Sequence, residues 1–344
     1  MSKLTELIEH LCVLDGVSSF EEPVRTFLQT QAAPYADEMR VDLMGNLIVF
    51  KRGRTRTGNK LLLAAHMDEV GLIIKKITDE GYLKFSAVGG IDRRVLLGKP
   101  VRVGENALPG VIGLKAYHLV SAEEEKSVPK LEEFYIDIGA KDREEAERLV
   151  QPGDWAAFAS VPERFGDGFL KAKALDDRIG CAVMLELLKE DLPLDVTFAF
   201  TVQEEVGTRG AFAAAFSVTP DMALVLETTT AADLAGAPAH KQVCSPGKGP
   251  VIVFMDGGSA ADRGLYEMAR EAARTNGIPW QTKHYLAGGN DAAAIQRTKS
   301  GVRTLALSAA VRYLHAPASV ASLRDLDDML RLTRLFLGAV AKEG

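Results

Sequence analysis

The sequence changes its character in the middle of the chain, and this change constrains the fold more than any other feature. Before about Glu69 and after about Asp167, apolar runs typical of buried strands alternate with helical patterns. Strands that alternate with helices predict a mostly parallel sheet that is covered by helices on both faces. Between these limits, short alternating runs such as GLIIKKIT and YLKFSAV are separated by Gly, Pro and charged clusters, which predicts a small β-barrel.

The predicted fold class is therefore α/β, with an inserted β-barrel domain. Residues 1–68 and 168–344 would form the α/β domain, and residues 69–167 would form the insert. A chain of 344 residues is long enough for about two domains.

Local patterns predict individual elements of the α/β domain. Ser19 is followed three residues later by Glu22, which predicts a capping box at the start of a helix with Pro23 in its first turn. The run KLLLAAH at residues 60–66 predicts a buried parallel strand. The tail from Val320 to Glu343 predicts one long amphipathic helix.

Composition excludes several classes of partner and environment. The net charge is −6 and no basic patch with interleaved aromatic residues occurs, so we expect no nucleic-acid partner. The sequence has no apolar run long enough to predict a membrane span. The first residues are expected to form a helix and not a signal peptide. Cys12, Cys181 and Cys244 lie far apart, which fits reduced thiols in a cytoplasmic protein.

Acidic residues and histidines recur where predicted buried strands end. The positions are His66 with Asp68, the pair Asp176–Asp177, the pair Glu204–Glu205, Glu227 and His315. In an open α/β sheet, ligands bind beyond the carboxyl ends of the strands. Charges at the low-dielectric edge of a core are costly unless a partner neutralises them. A pair of divalent metal ions would neutralise this set.

Each cluster also has a simpler structural interpretation. A lone histidine at a strand end is usually a satisfied polar residue. Asp68, however, lies two residues after His66, on the same face of an extended strand, where a carboxylate can orient a ligating imidazole. Asp176 and Asp177 could cap the helix that follows them, although two adjacent acids with Arg178 exceed what a cap needs.

The adjacent acids Glu204 and Glu205 are the most specific local signal. Like charges directly after a buried strand repel each other and stabilise nothing there. Two roles fit better, because one carboxylate can bind metal while its neighbour takes a proton from bound water. Imidazole and carboxylate ligands without thiolate favour zinc, cobalt or manganese. A shared carboxylate would hold two such ions about 3.5–4 Å apart.

Five motifs occur in an order and spacing that resemble a known enzyme family. They are AAHMDEVG at 64–71, ALDDRIGC at 174–181, TVQEEVGTRGA at 201–211, GGNDA at 288–292 and LHAP at 314–317. Together they resemble the glutamyl and deblocking aminopeptidases of metallopeptidase family forty-two, the tetrahedral aminopeptidases. Some members of that family have been described as endoglucanases. The resemblance covers nearly the whole chain and implies a zinc-peptidase-like catalytic domain.

The resemblance also implies roles for the acidic residues and histidines. One metal ion would be held by His66, Asp176 and Glu227, and the other by Asp176, Glu205 and His315. Glu204 would be the general base, Asp68 would support His66 from behind, and Asp177 would hold the turn of the bridging Asp176. Two positions depart from the family pattern. Glu227 is often Asp in relatives, and Ala316 stands where many have Ser or Thr.

The implied activity is removal of N-terminal residues from peptides with a free N-terminus. Two divalent ions per subunit would hold a bridging hydroxide; zinc is the expected metal, with cobalt or manganese as alternatives. Glu204 would take a proton from the bound water and pass it to the leaving amine. Members of the family use the insert for dimer contacts and assemble six dimers into a hollow dodecamer, so we expect a homo-oligomer. The basic run Asp92-Arg93-Arg94 could favour an acidic first residue, or it could be solvated or make subunit contacts.

Three other functions stay open at this point. A carboxypeptidase, deacetylase or dinuclear amidohydrolase of the same clan would have the same metal ligands. A glycosidase could use two carboxylates without metal, but the histidines would then be unexplained. A non-enzymatic relative would typically have lost one or more ligands, whereas this set is intact.

Overall fold

The computed structural model describes residues 2–56 and 58–343. Helices and strands alternate at both ends of the chain, and strands alone fill most of the middle. The helices are α1 (Lys3–Val13), α2 (Glu22–Ala32), α3 (Arg143–Glu147), α4 (Leu175–Leu188), α5 (Arg209–Val218), α6 (Arg263–Thr275), α7 (Ala292–Ile295) and α8 (Leu323–Glu343). The strands are β1 (Glu38–Val41), β2 (Leu47–Lys51), β3 (Leu61–His66), β4 (Gly71–Ile77), β5 (Leu83–Val88), β6 (Pro100–Val103), β7 (Leu108–Gly113), β8 (Tyr135–Asp137), β9 (Trp155–Phe158), β10 (Glu163–Phe165), β11 (Phe169–Ala172), β12 (Val196–Thr201), β13 (Met222–Thr230), β14 (Val251–Val253), β15 (Arg303–Arg312) and β16 (Ser319–Ser322).

The α/β domain is built on one mixed sheet. Within the described residues the sheet has ten strands in the order β1-β2-β12-β3-β13-β15-β16-β11-β10, with β14 pairing on β15. The four central strands, β12, β3, β13 and β15, are parallel, and the strands outside them pair antiparallel. The predicted α/β class is confirmed, with parallel pairing confined to the centre of the sheet.

Strand β3 shows why its sequence is apolar without interruption. Leu61, Leu63 and Ala65 face the hydrophobic core that contains α1, α4 and α8, whereas Leu62 and Ala64 face the core that contains α5 and α7. A strand that is covered on both faces needs apolar side chains at every position. Its last residue, His66, is equally buried, so the strand places a polar side chain at the edge of the hydrophobic core.

The insert is a closed antiparallel barrel with the strand order β4-β5-β8-β7-β6-β9. Its interior is a separate hydrophobic cluster that includes Leu72, Phe85, Val101 and Ile136. The barrel strands run from Gly71 to Phe158, and the next strand, β10, already pairs within the main sheet. The predicted inserted barrel is therefore confirmed as a fold.

Two local predictions were wrong. The predicted capping box does not form, because α2 starts at Glu22 with Glu21 as its N-cap and without a side-chain cap bond. Ser19 instead has a φ of +77°, and its N–H donates to the Glu21 carboxylate over 2.7 Å. Glu21 also accepts the Gln203 N–H at 3.2 Å, so it links this turn to the segment after β12. Pro23 does lie in the first turn, as predicted.

The tail helix is shorter at its start than its sequence pattern predicts. Val320 to Ser322 belong to β16, which pairs with β11 and with β15, and α8 begins at Leu323. Pairing on two sides buries these residues and overrides a local preference for helix. Among the described residues, no helix is long and apolar enough to cross a membrane.

Candidate metal centre

The acidic residues and histidines selected from the sequence meet near the carboxyl ends of the central strands. His66 ends β3, Glu227 lies within β13, and Glu204 and Glu205 follow β12. His315 follows β15, and Asp176 and Asp177 lie at the start of α4. Because the four central strands are parallel, their carboxyl ends lie at one edge of the sheet.

His66 is held in one orientation inside the α/β domain. Its side chain is 1% exposed, and its Nδ1 lies 3.0 Å from the carbonyl oxygen of Asp68 and 3.4 Å from the Asp68 carboxylate. A carbonyl can only accept, so Nδ1 carries the proton and Nε2 is the free ligand atom. Nε2 lies 3.3 Å from Asp176 Oδ1 and 3.5 Å from Glu227 Oε1.

His315 makes the equivalent arrangement on the other side of Asp176. Its Nε2 lies 3.2 Å from Asp176 Oδ2 and 3.2 Å from Glu205 Oε2. Its Nδ1 donates to the carbonyl oxygen of Gly90 over 3.0 Å. Burial lowers the pKa of His315, but Asp176 and Glu205 outweigh this effect and raise it to about 9.

Asp176 is the carboxylate that faces both histidines. Burial alone would raise its pKa, but the contacts with His315 and His66 hold the pKa of Asp176 well below its usual range. Asp177 has a different environment, because its Oδ1 accepts the Gly180 N–H at 2.9 Å. Its other oxygen is buried and has no hydrogen-bond partner among the described residues.

Two compact groups of donor atoms can be drawn in this cluster. Ligand atoms of His66, Asp177 and Glu227 all lie within 4.8 Å of one another, and so do those of His66, Asp176 and Glu205. These groups differ from the two triads implied by the family resemblance in where they place Asp177 and His315. We favour Asp176 over Asp177 as the shared carboxylate, because only Asp176 has one oxygen against each histidine.

Asp68 fixes the segment that carries the adjacent acids. Its two carboxylate oxygens accept the N–H groups of Glu204 at 3.0 Å and Glu205 at 3.2 Å. Ser18 donates a third hydrogen bond to this carboxylate over 2.7 Å. Burial would raise the pKa of Asp68, but its hydrogen bonds with His66, Ser18 and Glu204 lower it. One carboxylate thus orients His66 and positions both acids.

The carboxyl groups of Glu204, Glu205 and Glu227 are buried without enough positive charge nearby to offset that burial. Burial raises the pKa of Glu204 to about 10, and it raises the pKa of Glu205 and of Glu227 to about 8, with neighbouring carboxylates adding to the shift. Glu205 Oε1 and Glu227 Oε2 are buried without a hydrogen-bond partner within the described part of the chain. A divalent cation bound by these carboxylate oxygens and imidazole nitrogens would supply the missing positive charge.

A buried ion network behind the centre was not predicted. The Lys173 ammonium lies 2.5 Å from Glu69 Oε1 and 3.2 Å from Asp15 Oδ1, and it also donates to the Leu14 carbonyl. Arg178 is fully buried and donates to the Leu11 carbonyl over 2.7 Å. Arg178 therefore anchors the end of α1, and its Nη2 also lies 3.5 Å from Glu69 Oε1, so it belongs to the same ion network as Lys173. No local sequence pattern marks a lysine or arginine for burial, so these residues were not separable from surface charges.

Other candidate polar residues lie outside the cluster of acids or behind it. Asp291, in the GGND motif, is buried and accepts the Thr201 hydroxyl at 2.5 Å. Arg94 pairs with its neighbour Asp92, and both side chains are largely exposed. His10 stacks on Phe27.

Comparisons with known proteins agree with this geometry. The family model described as M42 glutamyl aminopeptidase matches residues 45–332. A protein of Acetivibrio thermocellus is 38% identical over 329 residues, which are 95% of this chain and 96% of that protein. The lysyl aminopeptidase of Pyrococcus furiosus is 31% identical over 344 residues, with 96% of each chain covered.

The fold is shared with a solved structure of the same kind. The TET1 peptidase of Pyrococcus horikoshii, which can assemble into a tetrahedron or a large octahedral shell, superposes with a TM-score of 0.85 and 37% identity. The match covers 97% of this chain and 98% of that chain. These findings confirm the family resemblance that the five sequence motifs indicated. The chain belongs to the M42 glutamyl aminopeptidase family and is a metal-dependent peptide hydrolase.

Proposed function

We propose that the chain is a two-metal aminopeptidase that removes single residues from the N-terminus of peptides. The observation that carries this proposal is the position of Asp176. One of its oxygens lies 3.3 Å from His66 Nε2, and the other lies 3.2 Å from His315 Nε2. A carboxylate between two imidazoles is suited to bridge two ions. The ligands would be His66, Asp176 and Glu227 for one ion, and Asp176, Glu205 and His315 for the other.

The donor set fits this assignment. Each triad combines one imidazole with two carboxylates and contains no thiolate, which favours zinc, with cobalt or manganese as alternatives. Glu205 and Glu227 each keep a buried oxygen without a hydrogen-bond partner among the described residues, so both have an acceptor that a cation would satisfy. When bound, such ions would lower the pKa of water toward about 7 and polarise the scissile carbonyl.

Glu204 would move the proton. Its N–H is held by Asp68 at 3.0 Å, whereas no hydrogen bond holds its carboxylate within the described residues. Because burial raises the pKa of Glu204, its carboxylate is a strong base once it is deprotonated, and positive charge in the centre would favour that form. Glu204 would accept a proton from the attacking water and return it to the leaving amine.

The neighbouring groups would keep this geometry fixed. Asp68 would support His66 from behind and would hold the backbone of Glu204 and Glu205 through its two carboxylate oxygens. Asp177 would hold the turn after Asp176 through the Gly180 N–H. A base and a ligand on adjacent residues keep a constant separation only if their shared backbone is fixed, and Asp68 supplies that constraint.

The preferred first residue of the substrate is a separate question. The family is described as glutamyl aminopeptidase, whereas the Pyrococcus furiosus relative is a lysyl aminopeptidase. The arginine that sequence analysis singled out, Arg94, is already paired with Asp92 at an exposed position. Comparing turnover of the p-nitroanilides of Glu, Leu and Lys would rank the three classes of residue.

We extend the proposal to assembly. The chain would form a homo-oligomer built from dimers, with a dodecamer as the complete particle, as the similarity to a TET peptidase suggests. Large apolar side chains are exposed on the barrel, among them Leu97, Tyr117 and Leu119, and a partner would cover them. Light scattering with size exclusion should give a mass several times that of a 37.1 kDa chain, and a monomer would contradict this part.

Metal removal tests the catalytic proposal. Prolonged chelation should abolish hydrolysis of aminoacyl-p-nitroanilides, because Glu204 alone could not deprotonate water whose pKa is no longer lowered by the ions. Addition of zinc, cobalt or manganese should restore activity. Peptides with a blocked N-terminus should resist cleavage, which separates an aminopeptidase from a carboxypeptidase. Full activity in protein shown to be metal-free by elemental analysis would refute the mechanism.

A further inference from the structure

The inserted barrel reaches into the metal centre at one point. Gly90 follows strand β5 of the barrel, and its carbonyl oxygen accepts the Nδ1–H of His315 over 3.0 Å. The two residues are 225 positions apart in the chain. The strands that precede them pack in different hydrophobic cores, β5 in the barrel interior and β15 in the core of the α/β domain. The hydrogen bond therefore joins the two domains at a proposed ligand.

The backbone must approach closely for this contact to form. Gly89 has a φ of +80°, and a Cβ at this position would lie 2.7 Å from Val70 Cγ1 and 3.4 Å from Glu205 Cβ. A Cβ on Gly90 would lie 3.5 Å from His315 Nδ1, which is an ordinary contact. The positive φ and the tight contact with Val70 make Gly89 the position that depends on glycine. Glycine at 89 thus lets the barrel place the Gly90 carbonyl against the imidazole.

The His315 side chain is less enclosed than that of His66. His315 has a φ of +58°, in the left-handed region that is uncommon for residues other than glycine. Its side chain is 31% exposed, whereas that of His66 is 1% exposed. The Gly90 carbonyl is the partner of its Nδ1 within residues 2–56 and 58–343. By contrast, His66 Nδ1 contacts both the carbonyl and the carboxylate of Asp68.

We propose that the inserted barrel completes the metal centre, with the Gly90 carbonyl as the group that positions His315. The inference rests on the proposed function, in which His315 is a ligand. By accepting the Nδ1–H, the carbonyl fixes the tautomer whose Nε2 is free, and it aims Nε2 at Asp176 and Glu205. Loss of such a supporting hydrogen bond typically costs about 10–100-fold in metal affinity. The cost should fall on the ion at His315 and spare the ion at His66.

An amide-to-ester replacement tests the carbonyl without changing a side chain. Incorporation of the α-hydroxy analogue of isoleucine at position 91 turns the Gly90 carbonyl into an ester carbonyl, which is a weaker acceptor. The Ile91 N–H that is lost makes no hydrogen bond within the described residues. The matched control is an ester at Ala140, after Gly139, on the same barrel, where a glycine Cβ would meet nothing within 4 Å.

The readout is binding of Co²⁺ alone to chelator-treated full-length protein, followed by calorimetry and visible absorption. Wild type should bind two ions per chain, and His315→Ala should identify which binding step belongs to His315. The ester at 91 should weaken that step about 10–100-fold and leave the other within about twofold, while the ester at 140 should match wild type. Gly89→Ala, compared with Gly139→Ala at a nearly equal φ of +77°, should give the same selective loss.

The outcomes separate this inference from the proposed function. Fewer than two ions bound by wild type would refute the two-metal centre and the inference with it. Two ions in wild type with unchanged binding in the ester at 91 would refute the role of Gly90 alone. Equal weakening of both steps would also refute it, because a general loss of structure and not the orientation of His315 would then explain the effect.

Discussion

The two halves of the proposed metal centre are built in different ways. The His66 half is made within the α/β domain, from a strand end and an acid two residues later, and its imidazole is almost completely buried. The His315 half joins a loop after β15 to a carbonyl of the inserted barrel, and its imidazole is partly exposed. A site assembled from one domain is as rigid as that domain. A site assembled from two domains is sensitive to how they sit together.

Substitution of the proposed base, Glu204, should have the largest effect on turnover and should leave a metal ion bound in both halves. Glu204→Gln should retain two metal ions and lose about 10²–10⁴-fold in turnover, because a positioned general base contributes that much. Asp176→Asn is the informative contrast, since it should lose metal from both halves together with activity. Turnover of aminoacyl-p-nitroanilides and metal content by elemental analysis provide both readouts. Wild-type turnover in Glu204→Gln would show that the base is another group.

A smaller effect, on stability, is expected from the ion network that braces the His66 half. Lys173→Met would leave Glu69, the neighbour of Asp68, without its closest cation inside the protein. Arg178 stays 3.5 Å from the same carboxylate oxygen, so the expected cost in the free energy of unfolding is about 2–3 kcal/mol, below the ~3–5 kcal/mol of a buried charge left with no partner. The matched control is Lys171→Met, which breaks only the exposed pair with Glu163 and should cost about 0–1 kcal/mol. Urea unfolding measures both, and equal costs would mean that the network does not brace this half.

The His66 half was easier to recognise in the sequence than the His315 half, for a physical reason. His66 and Asp68 lie two residues apart, so a local pattern at a strand end revealed this pair. The Gly90 carbonyl carries no side-chain signal, and its partner lies 225 residues away. The hydrogen bond between them depends on how the barrel docks, which no local pattern encodes.

The same distinction explains the errors in the fold. The apolar run of β3 and the alternating runs of the barrel predicted their elements, because burial on one or two faces determines such patterns. The capping box at Ser19 was wrong because Glu21 is used to hold the Ser19 and Gln203 N–H groups. The start of α8 was wrong because Val320 to Ser322 pair with β11 and β15. In both cases a distant segment decided a local conformation. The limits of the insert at residues 69–167 stay a prediction.

A crystal structure of the metal-loaded protein, with anomalous data at the absorption edge of the bound metal, would show how many ions the centre holds and where they lie. Two peaks should lie on either side of the Asp176 carboxylate, one next to His66 and Glu227 and the other next to His315 and Glu205. After limited chelation, the peak next to His315 should fall first, because that imidazole is the more exposed and is held by the barrel. A single peak would refute the two-metal centre, and earlier loss of the ion next to His66 would refute the difference between its two halves.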